Sequence, residues 1–275
     1  MKKALCLLAA ILLWAPTGRA DKPNAIRYLN SLETNSYVYT FSDGHSFQYY
    51  AQNNPLWNDM LYEKRTSNRK RTFGGSGCNP TSMAMVIASL VPKSDYDLIN
   101  KFSYKKKGYM LNPYTVYATK DSKDFENAAV QTPEEYQRYL PVVIGAYAAG
   151  NNKTGQADRN NGGTGTAYFK TLCSIYNITY TRTRNTDEIV DALQGGKVVV
   201  ALAARKYSPL TDSGHYVFIP YCDDEYLYVF DSLQRESYPK DKEGIIDQIS
   251  PGILRIRLKD IKQMYFCDYF IFSRA

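Results

Sequence analysis

The chain reads as an α+β protein in which one apolar helix, begun by a cysteine, packs on an antiparallel sheet. Three observations predict this. The stretch "GGSGCNPTSMAMVIASL", residues 74–90, runs from glycines straight into a helical apolar pattern. Residues 35–50 and 215–232 each alternate around a central turn signal, as hairpins do. An unbroken apolar run, "KVVVALAA" at 197–204, has the character of a buried strand.

The first twenty of the 275 residues stand apart from this pattern. Lys2 and Lys3 precede an apolar run from Ala4 to Ala15, and Gly18-Arg19-Ala20 places small residues at both cleavage positions. Residues 1–20 are therefore expected to be a secretory signal peptide, cut before Asp21. No cysteine ends it, so no lipid attachment is expected. No later run is long enough to predict a transmembrane segment. The expected product is a secreted chain of one domain, residues 21–275.

Residues 35–50, "NSYVYTFSDGHSFQYY", predict a hairpin turning at Asp43-Gly44. Residues 58–76, which contain "EKRTSNRKRT", predict a polar loop, solvated and basic, with contact to an anionic cell wall as the alternative. Pro80 suits the first turn of a helix and Pro92 lies just past its end. Met83, Val86, Ile87 and Leu90 fall at i, i+3, i+4 and i+7, and small or apolar neighbours predict burial nearly all round.

Residues 104–165 read as an insertion or rim. "TPEE" at 132–135 opens a helix, with Thr132 as cap and Glu135 closing a capping box. "GNNKTGQADRNNGGTG", 150–165, reads as a loop, and this insertion is expected to border the substrate groove and limit access to it. Helices are expected at 166–176 and 186–194, the second capped by Asn185 with Glu188 and stopped at Gly195-Gly196.

"HYVFIPYCDDEYLYVFDS", 215–232, predicts a hairpin. A three-residue turn at 222–224 puts Val217 opposite Val229 and Ile219 opposite Leu227 on one face. It puts Tyr216 opposite Phe230 and Phe218 opposite Tyr228 on the other. His215 then lies directly opposite Asp231, with Cβ atoms about 5 Å apart.

Composition narrows the chemistry. Without Lys2, Lys3 and Arg19 the formal charge falls from +7 to +4, too modest an excess to indicate nucleic acid. Tyrosine outnumbers phenylalanine 25 to 11, which suits a wet peptide or glycan groove. Beyond the signal stand Cys78, Cys173, Cys222 and Cys267. They could form two disulfides, but a chain of this length needs no such staples. Their spacing matches no paired C-x-x-C metal pattern.

A cysteine attacks as thiolate, and a helix N-terminus or a neighbouring imidazolium favours that form. Cys78 has the first by position. Of the two histidines, His45 sits in a turn without an acidic partner in an adjacent strand. His215 has Asp231 to orient its ring. Gly74, Gly75 and Gly77 would let backbone approach closely before the nucleophile. Cys173, Cys222 and Cys267 lie within apolar elements and read as structural.

"SGCNPTSMAMVIASL", "SGHYVFIPY" and "LYVFDS" together resemble the papain-like bacterial cysteine peptidases related to the bacteriocin-leader-processing domains, the C39-like peptidases and their secreted branch. "QNNPLW" at 52–57, Gly163-Thr164 and "ALQGGKVVVAL" at 192–202 add to the resemblance, which spans about residues 48–232 with a gap over the insertion. It implies a papain-like fold and no metal or cofactor. It implies Cys78 as nucleophile, His215 as general base and acid, and Asp231 as its orienting partner. Gln52 would be the oxyanion-hole side chain, paired with the Cys78 backbone N–H. Two departures stand out: Asn79 where the family has glycine, a side chain that can narrow the groove, and Asp231-Ser232 where it has Asp-Pro.

The implied activity is hydrolysis of a peptide or protein substrate through a thioester. An acyl transferase or crosslinking enzyme could use the same three residues with an amine as acceptor. A non-catalytic peptide- or glycan-binding groove is the remaining alternative, and it has no use for a low-pKa thiolate.

Overall fold

The computed structural model describes residues 30, 35–58, 61–63, 71–101, 104–106, 109–111, 139–150, 159–160, 163–204 and 207–275. The expected signal peptide, residues 64–70 of the basic loop, the Thr132 cap and residues 151–158 of the glycine- and asparagine-rich loop lie outside them. No helix among the described residues is long and apolar enough to cross a membrane.

Among the described residues the first element is the hairpin expected from its alternation, β1 (Ser36–Thr40) and β2 (Ser46–Tyr50). The stretch 58–76, expected to be a loop throughout, instead holds β3 (Leu61–Glu63) and β4 (Arg71–Thr72), which pair with each other. One turn of helix, α1 (Phe73–Ser76), leads into α2 (Cys78–Leu90). A 3-10 helix spans Lys93–Lys101, and β5 (Tyr104–Lys106) pairs with β6 (Tyr109–Leu111). Then come α3 (Leu140–Gly150), β7 (Arg159–Asn160), β8 (Gly163–Thr164), α4 (Phe169–Tyr176), β9 (Ile178–Thr183), α5 (Thr186–Gln194) and β10 (Val198–Ala203). The last third supplies β11 (His215–Cys222), β12 (Tyr226–Phe230), β13 (Asp247–Ser250), β14 (Ile253–Arg257), a 3-10 helix at Leu258–Met264 and β15 (Phe266–Arg274).

Seven strands form one antiparallel sheet in the order β13-β14-β12-β11-β10-β15-β9. Strand alternation sorts its two faces by chemistry. Val198, Val200, Phe218, Phe230, Phe270 and Phe272 face one core with the β1–β2 hairpin, α2, α3 and α4. Val199, Ala201, Val217, Ile219, Leu227 and Val229 face a second, aliphatic core closed by α5 and the Leu258–Met264 turn. Helices on a largely antiparallel sheet are the α+β class expected from the sequence.

Helix α2 packs against β10, β11 and β15 of the sheet and also against β2 and α3. That setting explains its sequence. Thr81, Ser82, Met83, Ala84, Met85, Val86 and Ile87 are all fully buried, so small residues fill the positions where a surface helix would be charged. Leu140, Val142, Val143 and Ile144 of α3 are buried in the same core. This part of the expected insertion is therefore core, not rim. Helix α5 has the expected bounds, with the Asn185 side chain accepting from the Asp187 N–H.

The hairpin β11–β12 keeps the expected faces but not the expected register. Cys222 pairs with Leu227 and Tyr221 with Tyr228, and the Asp223 N–H donates to the Tyr226 carbonyl. The turn thus has two residues, Asp224 and Glu225. Beyond a bulge Phe218 pairs with Phe230. Pro220 lies inside that bulge. It has no N–H for the ladder, and an extra residue there restores the face alternation. By this register His215 is not directly opposite Asp231.

Candidate active site

The loop before Cys78 is shaped by packing. Thr72 caps α1 by accepting from the Gly75 N–H at 3.2 Å. A Cβ on Gly74 would sit 1.9 Å from Asn58 Oδ1, and one on Gly77 would sit 2.6 Å from the Phe73 carbonyl oxygen. Gly75 is different, since its Cβ would meet nothing closer than 3.6 Å. Two of the three glycines are therefore required for the chain to fold back on itself. Cys78 follows as the first residue of α2, a free and partly exposed thiol among the unpaired N–H groups of the helix start.

His215 and Asp231 meet despite the shifted register. His215 opens β11, Asp231 directly follows β12, and the imidazole spans the offset: Nε2 donates to Asp231 Oδ1 at 2.5 Å. Both are buried, His215 at 4 % exposure and Asp231 at 0 %. With Nε2 so engaged, Nδ1 is the ring nitrogen left to act on the Cys78 thiol, with which His215 interacts electrostatically.

The electrostatics follow from that line of contacts. Burial opposes ionisation of Cys78, but the His215 hydrogen bond and charge, with backbone contacts at Tyr216 and Asn79, hold its pKa below the ordinary thiol value. Burial likewise opposes a charged His215, yet the Asp231 carboxylate and the Cys78 thiol raise its pKa to about 9. Asp231 is held low against its own burial by His215, Arg235 and the Leu233 N–H. Cys173 and Cys222 move the other way, pushed by burial to about 12 and about 11. Cys267 is also raised, by burial and by Asp268. A thiolate–imidazolium pair at Cys78 and His215 is what this arrangement favours, and such a pair is a nucleophile beside a proton donor.

Gln52 is buried at 3 % exposure. Its Nε2 donates to the Gly74 carbonyl at 2.7 Å and its backbone N–H to the Ser232 carbonyl at 2.6 Å. It thereby ties the loop before Cys78 to the residue after Asp231. Ser232, where the resembled family has proline, donates its hydroxyl to the Tyr216 carbonyl at 2.9 Å. Asn79 does not narrow a groove. It is fully buried, donating to the Gly165 carbonyl at 3.1 Å and accepting from the Tyr168 hydroxyl at 2.5 Å. It anchors the start of α2 to the segment between β8 and α4.

Sequence reasoning missed the residues behind Asp231. Arg235 Nε donates to Asp231 Oδ2 at 3.1 Å, the Tyr238 hydroxyl to the same oxygen at 2.9 Å, and the Leu233 N–H to Oδ1 at 2.9 Å. Tyr49, across in β2, donates to the Asp231 carbonyl at 2.8 Å. The only hint in the sequence is the four-residue spacing of Asp231 and Arg235, and their segment is not a helix. His45 pairs with Asp43 in the first hairpin turn, exposed and against the Tyr221 ring, as a turn histidine. Among the described residues no group of three His, Cys, Asp or Glu side chains is placed to hold a metal ion.

Two comparisons with known proteins found matches. The model of the Peptidase C39-like family matches residues 45–247, which include Cys78, His215 and Asp231. A crystal structure from Bacillus anthracis, provisionally named a C39-like peptidase, is 15 % identical and covers 82 % of this chain and 94 % of its own, with a TM-score of 0.34. No curated protein matches.

Proposed function

The chain belongs to the Peptidase C39-like family, and from that premise we propose that it is a secreted cysteine peptidase working through Cys78, His215 and Asp231. One observation carries the reading: His215 Nε2 meets a fully buried carboxylate at 2.5 Å, and the same ring lies close enough to the Cys78 thiol to lower its pKa. Export rests on the basic, apolar and small-residue order of residues 1–20.

In the proposed reaction the Cys78 thiolate adds to the scissile carbonyl carbon. The developing oxyanion is met by the Cys78 backbone N–H and by the Gln52 Nε2 hydrogen not given to Gly74. The His215 imidazolium passes its proton to the leaving amine as the C–N bond breaks, which leaves a thioester. His215, now neutral, takes a proton from water as the water attacks. Collapse releases the carboxylic product and returns the thiolate–imidazolium pair. Asp231 keeps the ring in the tautomer and orientation both half-reactions need.

A peptide-library digest with the wild type and Cys78→Ala tests the proposal. New peptide termini from the wild type and none from the variant are expected. Cleavage that survives in Cys78→Ala would contradict it. Incorporation of an added amine without new termini would point instead to acyl transfer.

A further inference from the structure

A buried carboxylate is a costly way to orient an imidazole, because its charge must be compensated. With Cys78 as thiolate and His215 as imidazolium, the contacts Cys78–His215–Asp231–Arg235 alternate in sign, two negative and two positive. Remove the last and the cluster carries a net negative charge where Asp231 has no solvent exposure. The Arg235 side chain is only a quarter exposed and meets Asp231 at 3.1 Å. Gln248 Nε2 donates to its carbonyl at 3.1 Å, and the Tyr238 ring lies 5.8 Å from its guanidinium carbon.

We propose that Arg235 is a positioning residue for the Cys78–His215 pair: by neutralising Asp231 it lets a buried carboxylate orient His215 without making the thiolate harder to form. This rests on the reading of Cys78 as nucleophile and His215 as base. An arginine suits the role because it stays charged throughout the working pH range. The other titratable groups facing the cluster add no charge. Tyr238 and Tyr49 beside Asp231, and Tyr216 beside Cys78, are held neutral first by burial. The guanidinium is three contacts from the thiol, on the order of 10 Å, where one charge shifts a pKa by roughly one unit at an effective dielectric of about 20.

The test is alkylation of Cys78 by iodoacetamide across a pH series, followed by mass mapping so that the other thiols do not interfere. It needs no peptide substrate. The wild-type rate should rise in two steps, one as the ion pair forms and one as the imidazolium loses its proton. Arg235→Gln should move both steps up by roughly one pH unit. Asp231→Asn should move both down, and the double variant should lie between the singles. Arg235→Lys, which restores the charge, should lie near the wild type. If Arg235→Gln is poorly folded, the lysine and double variants still decide the matter. Steps left in place by Arg235→Gln, or a double variant displaced as far as Arg235→Gln alone, would overturn the inference. A wild-type Cys78 that titrates as an ordinary thiol would overturn the nucleophile reading, and this inference with it.

Discussion

Asp231 accepts four hydrogen bonds through two oxygens, and an amide cannot replace it without loss. After Asp231→Asn the one remaining oxygen could still serve His215 and Leu233, but the amide nitrogen would face the Arg235 Nε–H. The substitution is therefore expected to lose stability, by about 1–3 kcal/mol, as well as turnover. The fall in kcat/KM should be partial, roughly ten- to hundredfold, because orientation survives while charge stabilisation does not. Denaturant midpoints and steady-state kinetics check the two halves. The wild-type pH profile follows from the same charges. Cys78 is depressed, so activity should appear below the ordinary thiol range as pH rises. His215 is raised to about 9, so activity should be lost as pH climbs through that value. A profile rising only through the ordinary thiol range would contradict it. Cys78, His215 and Asp231 were legible in the sequence because each sits at an element boundary marked by pattern. Arg235 was not, because a side chain that reaches back over irregular backbone leaves no period to read.

At the scale of elements, the turn before α2 separates glycines by need. Gly74→Ala would drive a Cβ into Asn58 and should cost about 1–3 kcal/mol by overpacking. Gly75→Ala meets only Thr72 Oγ1 at 3.6 Å and should stay within about 0.5 kcal/mol of the wild type. Thermal unfolding of the pair tests this, and equal losses would contradict it. The first hairpin, α2 and α5 were readable because their caps, turns and apolar periods are local. The β11–β12 register was not read correctly, although its signal was present. The turn is Asp224-Glu225 and not 222–224, and Pro220 inside the strand asks for a one-residue bulge; together they displace the register by two residues near His215.

Across the whole molecule, the sheet depends on its last strand. β15 lies between β10 and β9, and Tyr269, Phe270, Ile271 and Phe272 are all buried there. Its partner in β10 is some seventy residues earlier in sequence, a pairing that apolar runs alone do not announce. Removing residues 266–275 should strand β9 and abolish cooperative unfolding by circular dichroism. A truncated chain that still melted cooperatively would show the sheet complete without β15. A fold that activates Cys78 should make it the more reactive of two thiols, and the chain carries its own reference. Cys267 is exposed with a raised pKa, whereas Cys78 is only partly exposed with a lowered one. Competitive alkylation of both at neutral pH, read site by site by mass, tests the claim most directly. Cys78 should be modified first, by at least roughly tenfold, despite its lower exposure. Faster modification of Cys267 would show that exposure alone governs these thiols, and that the His215 and Asp231 arrangement does not activate Cys78.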